Sequence, residues 1–173
     1  MFIYKLKNNP KYKKKLIAGS GLVEILVAVF IFTIVLGSLI TASNMYLSGA
    51  AENLKSIKGV YLAEEGIEAI KIIRDIGWDN VSILLNDVDY YLYFDTSSST
   101  NSFWGATSTP SYIDSVFNRT LKFDAVYRDS NGRITTEGGI LDLYTKKVTV
   151  SVSWPSKSTT TTKTLSTYIA DIL

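Results

Sequence analysis

Residues 25–40 read ILVAVFIFTIVLGSLI, and apolar character continues patchily to Leu47 with no further charge before Glu52. Counted from Gly21, this stretch reaches the ~20 residues that a helix needs to cross the hydrocarbon core of a bilayer. Just ahead of it stand Lys5, Lys7, Lys11, Lys13, Lys14 and Lys15, and few positive charges follow closely. Loops rich in lysine stay on the cytoplasmic side, so the expected topology keeps the N-terminus inside and sends everything past Leu47 outward.

The same lysines explain the charge balance. The chain of 173 residues carries a formal charge of +2. Six of its 18 basic residues fall in residues 1–19, where there is no acid. That leaves 12 against 16 acids, a net of −4, for the remainder. A net-acidic body has no general attraction for phosphate backbones, so no direct nucleic-acid binding is expected. With no cysteine and no histidine, disulfides, thiolate zinc sites, cysteine nucleophiles and the commonest general base are excluded. There is no P-loop, no dinucleotide fingerprint and no Ser-x-x-Lys run. Neither an enzyme nor a cofactor is expected.

A basic start before an apolar run ordinarily reads as a secretory signal peptide or signal anchor. Three details argue otherwise: the leader is long and hydrophilic, no A-x-A site follows the run, and Glu24 stands at its start. A lone carboxylate in an apolar span is costly, and such groups usually serve a function with a partner nearby.

The stretch Lys13-Lys14-Lys15-Leu16-Ile17-Ala18-Gly19, followed by Ser20-Gly21-Leu22-Val23-Glu24 and the apolar run, resembles the class III signal of type IV prepilins. In that family a basic leader ends in glycine, and the fifth mature residue is glutamate. The resemblance implies cleavage by a prepilin peptidase between Gly19 and Ser20, N-methylation of Ser20, and pairing of Glu24 with the Ser20 amine of a neighbouring subunit during assembly. Such a pair pays heavy desolvation and fixes register more than it adds stability. The family usually begins its mature chain with phenylalanine, whereas Ser20 and Gly21 stand here. Many major pilins also carry a proline inside the helix, whereas residues 20–108 contain none. That inclines the expectation toward a minor pilin or a type II secretion pseudopilin. Gly37-Ser38 is the one place suited to local loosening.

Past Leu47, helical spacing persists, with Leu54, Ile57 and Tyr61 on one face and Val60, Ala63, Ile67, Ile70 and Arg74 on another, predicting a helix to near Gly77. Glu64, Glu65 and Glu68 read as a solvated face, with Glu68 and Lys71 as an ordinary pair, rather than as a metal site. Residues 89–95, DYYLYFD, predict a strand. The Ser/Thr-rich TSSSTNSFWGATSTPS that follows predicts a long loop. Within it, Phe103 and Trp104 either contact a ligand or partner or tuck in as anchors.

Farther on, Phe117, Leu121, Phe123, Ala125 and Tyr127 alternate with polar residues and lead to the turn Asp129-Ser130-Asn131-Gly132. Val148, Val150, Val152 and Trp154 alternate likewise up to Pro155, which is expected to stop the strand. A last strand is predicted over residues 163–169, after the Ser/Thr tract at 159–162. Asp129, Asn131 and Asp142 lack the spacing of a calcium loop, so no metal site is assigned.

The expected organisation is a leader over 1–19, a membrane and filament-core helix over 20–48, its amphipathic continuation over 49–77, and a β-rich region outside the cytoplasm over 78–173. The expected class is α+β, a pilin fold whose helix packs on an antiparallel sheet of about four strands. The expected role is that of a structural subunit, a minor component of a pilus or pseudopilus. Its partners would be prepilin peptidase, other pilin subunits, an inner-membrane assembly platform and, before assembly, membrane lipid. The alternative is an uncleaved, signal-anchored binding or adhesion protein facing outward.

Overall fold

The computed structural model describes residues 20–96 and 102–172. The leader and Gly19 lie outside them, as does the side chain of Ser20. Helix α1 (Ser20–Ile76) is unbroken over 57 residues, ending one residue before the predicted limit. It runs straight through Gly37-Ser38, where the Ser38 hydroxyl bonds back to the carbonyl of Ile34 at 2.7 Å. Gly77 closes the helix by donating to the Arg74 carbonyl at 3.0 Å. A short α2 (Asp79–Ser82) follows. The chain divides into two compact units, one ending at Ser48 and the other spanning Gly49–Leu173.

The second unit is α+β. Strands β1 (Tyr91–Asp95) and β2 (Phe103–Thr107) form a two-stranded antiparallel sheet. The main sheet holds β3 (Tyr112–Ile113), β4 (Phe117–Arg128), β6 (Ile140–Ser156) and β7 (Thr159–Ala170) in the order β3-β4-β6-β7, with β5 (Ile134–Thr135) also paired to β4. All of its pairings are antiparallel. In the turn from β4 to β5, the Asp129 carboxylate accepts from the amides of Asn131 and Arg133 at 2.8 and 2.9 Å. Gly132 supplies the positive φ of 75° that the turn requires.

The core forms where the helix from residue 59 onward lies on the sheet. Val148, Val150, Val152 and Trp154 of β6 are all buried, and with Leu121 and Phe123 of β4 they meet Ala63, Ile67, Ala69, Ile70 and Ile73 of α1. Burying each large aliphatic contributes roughly 1.5–3 kcal/mol. The helix can approach this closely because Gly59 and Gly66 face the sheet. A Cβ on Gly59 would stand 2.4 Å from Trp154 Cζ3, and one on Gly66 would stand 2.8 Å from Val150 Cγ1.

Of the two helix faces, the one carrying Ala63, Ile67 and Ile70 packs on the sheet, joined by Gly59 and Gly66, whereas Val60 is exposed and Leu54, Ile57 and Tyr61 are 68, 54 and 65% exposed. Four further expectations change. The long Ser/Thr-rich loop contains β2: threonine suits a strand, and Gly105 makes room for the ring of its cross-strand partner Tyr93. Ala125 and Tyr127 do not continue the inward alternation. A bulge between Ala125 and Val126 shifts the register, burying Val126 and exposing Tyr127. Pro155 does not stop β6, which runs to Ser156. Past Ser153 it is flanked by β7 alone, an edge setting that tolerates a residue without an N–H. The tract at 159–162 is strand rather than loop, pairing with residues 153–156 across the two-residue turn of Lys157 and Ser158.

Candidate functional site

From Gly21 to Leu47, α1 exposes large aliphatic and aromatic side chains on every side, among them Leu26, Phe30, Phe32, Leu39 and Ile40. One window of this helix reaches a mean hydropathy of 2.7, long and apolar enough to cross a membrane. Three of its hydroxyls bond back to its own backbone. Thr33 bonds to the Phe30 carbonyl at 2.8 Å and Thr41 to the Gly37 carbonyl at 2.9 Å, as Ser38 does to Ile34. Such internal bonds suit a medium without water.

Glu24 is different. It lies on the exposed surface of α1 and is the one acidic or basic side chain between Gly21 and Ala51. Its partner must come from outside the helix's own apolar stretch, because no cation stands within reach along the same segment. Of the residues expected to take part in processing, Glu24 is therefore described on the helix, Ser20 only by its backbone, and Gly19 not at all.

Phe103 and Trp104 do not form one aromatic surface. As neighbours on β2 they point to opposite faces of the sheet. Phe103 is 43% exposed. Trp104 packs toward the core, its ring 5.1 Å from that of Phe94, and the Arg119 guanidinium stands 5.7 Å from its centroid. The anchoring role thus applies to Trp104, and an exposed contact remains open to Phe103.

Arg119 is the polar centre that the alternation of β4 conceals. It occupies an inward position between Phe117 and Leu121, only 5% exposed. Its Nη1 donates to Glu65 Oε2 at 2.6 Å and to the Leu62 carbonyl at 3.1 Å. Glu68 pairs with Lys71 at 2.6 Å as the spacing predicts, but Glu65 is more than a solvated charge, since it joins the helix to the sheet. The clue was present in sequence: an arginine at an inward strand position demands a carboxylate nearby.

Elsewhere, polar groups serve the architecture. Asp142 accepts from Arg128 Nε at 2.6 Å, and this bond above all holds its carboxyl below the usual aspartate range. Lys146 donates to the Leu84 carbonyl, and burial lowers its ammonium pKa. Lys58 pairs with Asp114, whose φ of 51° lies in the tight turn between β3 and β4. Among the described residues, no group of three or more aspartates and glutamates is placed to hold a metal ion.

Comparison with known protein families, curated proteins and solved structures produced no match.

Proposed function

We propose that this chain is a subunit of a type IV pilus or pseudopilus, inserted in the membrane, cut between Gly19 and Ser20, and assembled through α1. The observation that carries the proposal is Glu24: a single carboxylate at the head of an otherwise uncharged apolar stretch, on a helix that continues into a packed α+β unit. A plain membrane anchor has no use for such a charge: even near the end of a span, where the cost is below the roughly 2.5–3.5 kcal/mol of the bilayer centre, it only weakens insertion. In a filament, the Ser20 amine of the neighbouring subunit neutralises it and sets the axial register.

The exposed apolar surface of residues 21–47 serves twice. It is solvated by lipid in the stored monomer and by other helices in the filament, and apolar side chains lose little in that exchange. The Gly49–Leu173 unit is the part carried outward, by the lysine-rich leader's preference for the cytoplasmic side. A minor subunit is favoured over a major one by the unbroken, proline-free helix.

The substitution Glu24→Ala tests the role of the carboxylate. Cleavage at Gly19 should persist while incorporation into sheared filaments falls sharply. Incorporation at the wild-type level would rule the role out.

A further inference from the structure

A cavity of about 600 Å³ lies beside the β1–β2 sheet, and the five consecutive residues 102–106 line it. Successive strand residues point to opposite faces, so a wall made of five in a row is the edge of the strand, with its N–H and C=O groups. The other edge of β2 is paired to β1, and among the described residues no second strand pairs with β2. From β1 only Tyr93 reaches the cavity. It does so across Gly105, where a Cβ would stand 2.3 Å from Tyr93 Cζ and 2.4 Å from its hydroxyl oxygen. Apart from Asn80 of α2, the facing wall is aliphatic: Ile73 and Ile76 at the end of α1, and Ile83 and Leu84 just past α2.

Proteins commonly guard a free strand edge with lysine, proline or inward charges. The sequence of β2, FWGAT, has none of these, and no residue lining the cavity is charged. Ile76 and Ile83 are 60 and 71% exposed. A charged ligand would lose its hydration against this wall and find no counter-ion. An uncharged chain with apolar side chains meets no such penalty, and its backbone supplies the donors and acceptors that the edge needs. A strand of five residues spans about 17 Å, the length of β2 itself.

We propose that the free edge of β2 takes an extended, uncharged apolar peptide segment as an added strand. Its main chain pairs with residues 103–107, and alternate side chains enter the aliphatic wall. The site stands independently of the filament role.

The test uses the full chain in detergent micelles and a peptide of alternating threonine and valine, five residues long, with blocked ends and an uncharged fluorophore. Saturable binding is expected, together with slowed amide exchange in residues 103–107. Of two peptides N-methylated at alternate residues, the one that loses its pairing edge should bind about tenfold or more weakly, and the other should bind as before. Ile76→Lys, at an exposed position that leaves folding intact, should weaken binding by about tenfold or more. Absence of binding by the parent peptide would overturn the proposal. So would equal binding of both methylated peptides, unchanged exchange at 103–107, or full binding by Ile76→Lys; the last three results would mark generic uptake of an apolar molecule.

Discussion

Two stretches of the same helix meet their surroundings in opposite ways. Residues 21–47 expose leucine, isoleucine, valine and phenylalanine all round, whereas residues 59–73 hide a seam of glycine and alanine against a sheet. Backbone geometry is the same in both, so the difference lies in what each surface is solvated by. The first stretch has apolar bulk on every side, which suits an apolar medium and gives no preferred direction of contact. The second places small residues where the sheet must approach and charges elsewhere, which suits water on one side and a core on the other. Leu54, Ile57 and Tyr61 have the periodicity of the second and the exposure of the first.

Breaking the packed stretch should have the largest effect. Trp154→Ala empties the space beneath Gly59 and should cost about 3–5 kcal/mol of stability, read as a lowered midpoint of denaturation in micelles by tryptophan fluorescence. Gly59→Ala attacks the same contact from the helix side. Its new methyl group collides with the Trp154 ring, at a cost of about 1–3 kcal/mol despite the better helix propensity of alanine. If Gly59→Ala is stabilising, the close approach of helix and sheet is not a constraint.

The Glu65–Arg119 pair comes next. Glu65→Ala leaves a buried guanidinium with only the Leu62 carbonyl as a hydrogen-bond acceptor at Nη1. Because Glu65 is half exposed, solvent limits the loss to about 1–2 kcal/mol. The double substitution Glu65→Ala with Arg119→Met should recover part of it, in a double-mutant cycle that isolates the coupling. At the small end, Leu54→Ser and Ile57→Ser should change stability within about ±0.5 kcal/mol. A larger loss would mean that this face is covered within the monomer.

The acid limb of stability offers a separate check on the sheet. Asp142 has a folded pKa below its unfolded one, so its stabilisation is present above the unfolded value and is lost as pH falls through the folded value. Asp142→Asn should be less stable than wild type at neutral pH, and the gap should close progressively in acid. A constant gap across the titration would remove Asp142 as a source of the pH dependence.

The contrast within the helix was partly legible in sequence. An uncharged run with Glu24 at its head is visible because charge and hydropathy are properties of the residues themselves, and β6 is visible because Val148, Val150, Val152 and Trp154 alternate. Ala63, Ile67 and Ile70 of the packed face are visible by their spacing, but Gly59 and Gly66 are not, since a period of apolar residues skips both. β2 was hidden because serine, threonine and glycine signal loops locally. Only the pairing with β1 turns FWGAT into a strand, with Gly105 beneath the Tyr93 ring. The bulge at Ala125 and the inward Arg119 arise from neighbours on other strands and on the helix, which the pattern of one strand does not contain.

The most direct test of the filament account is the intact mass of the chain after co-expression with a prepilin peptidase. The account predicts loss of residues 1–19 and a chain that begins at Ser20, carrying one added methyl group when the peptidase also methylates. A chain that keeps its leader in the presence of an active peptidase would contradict it.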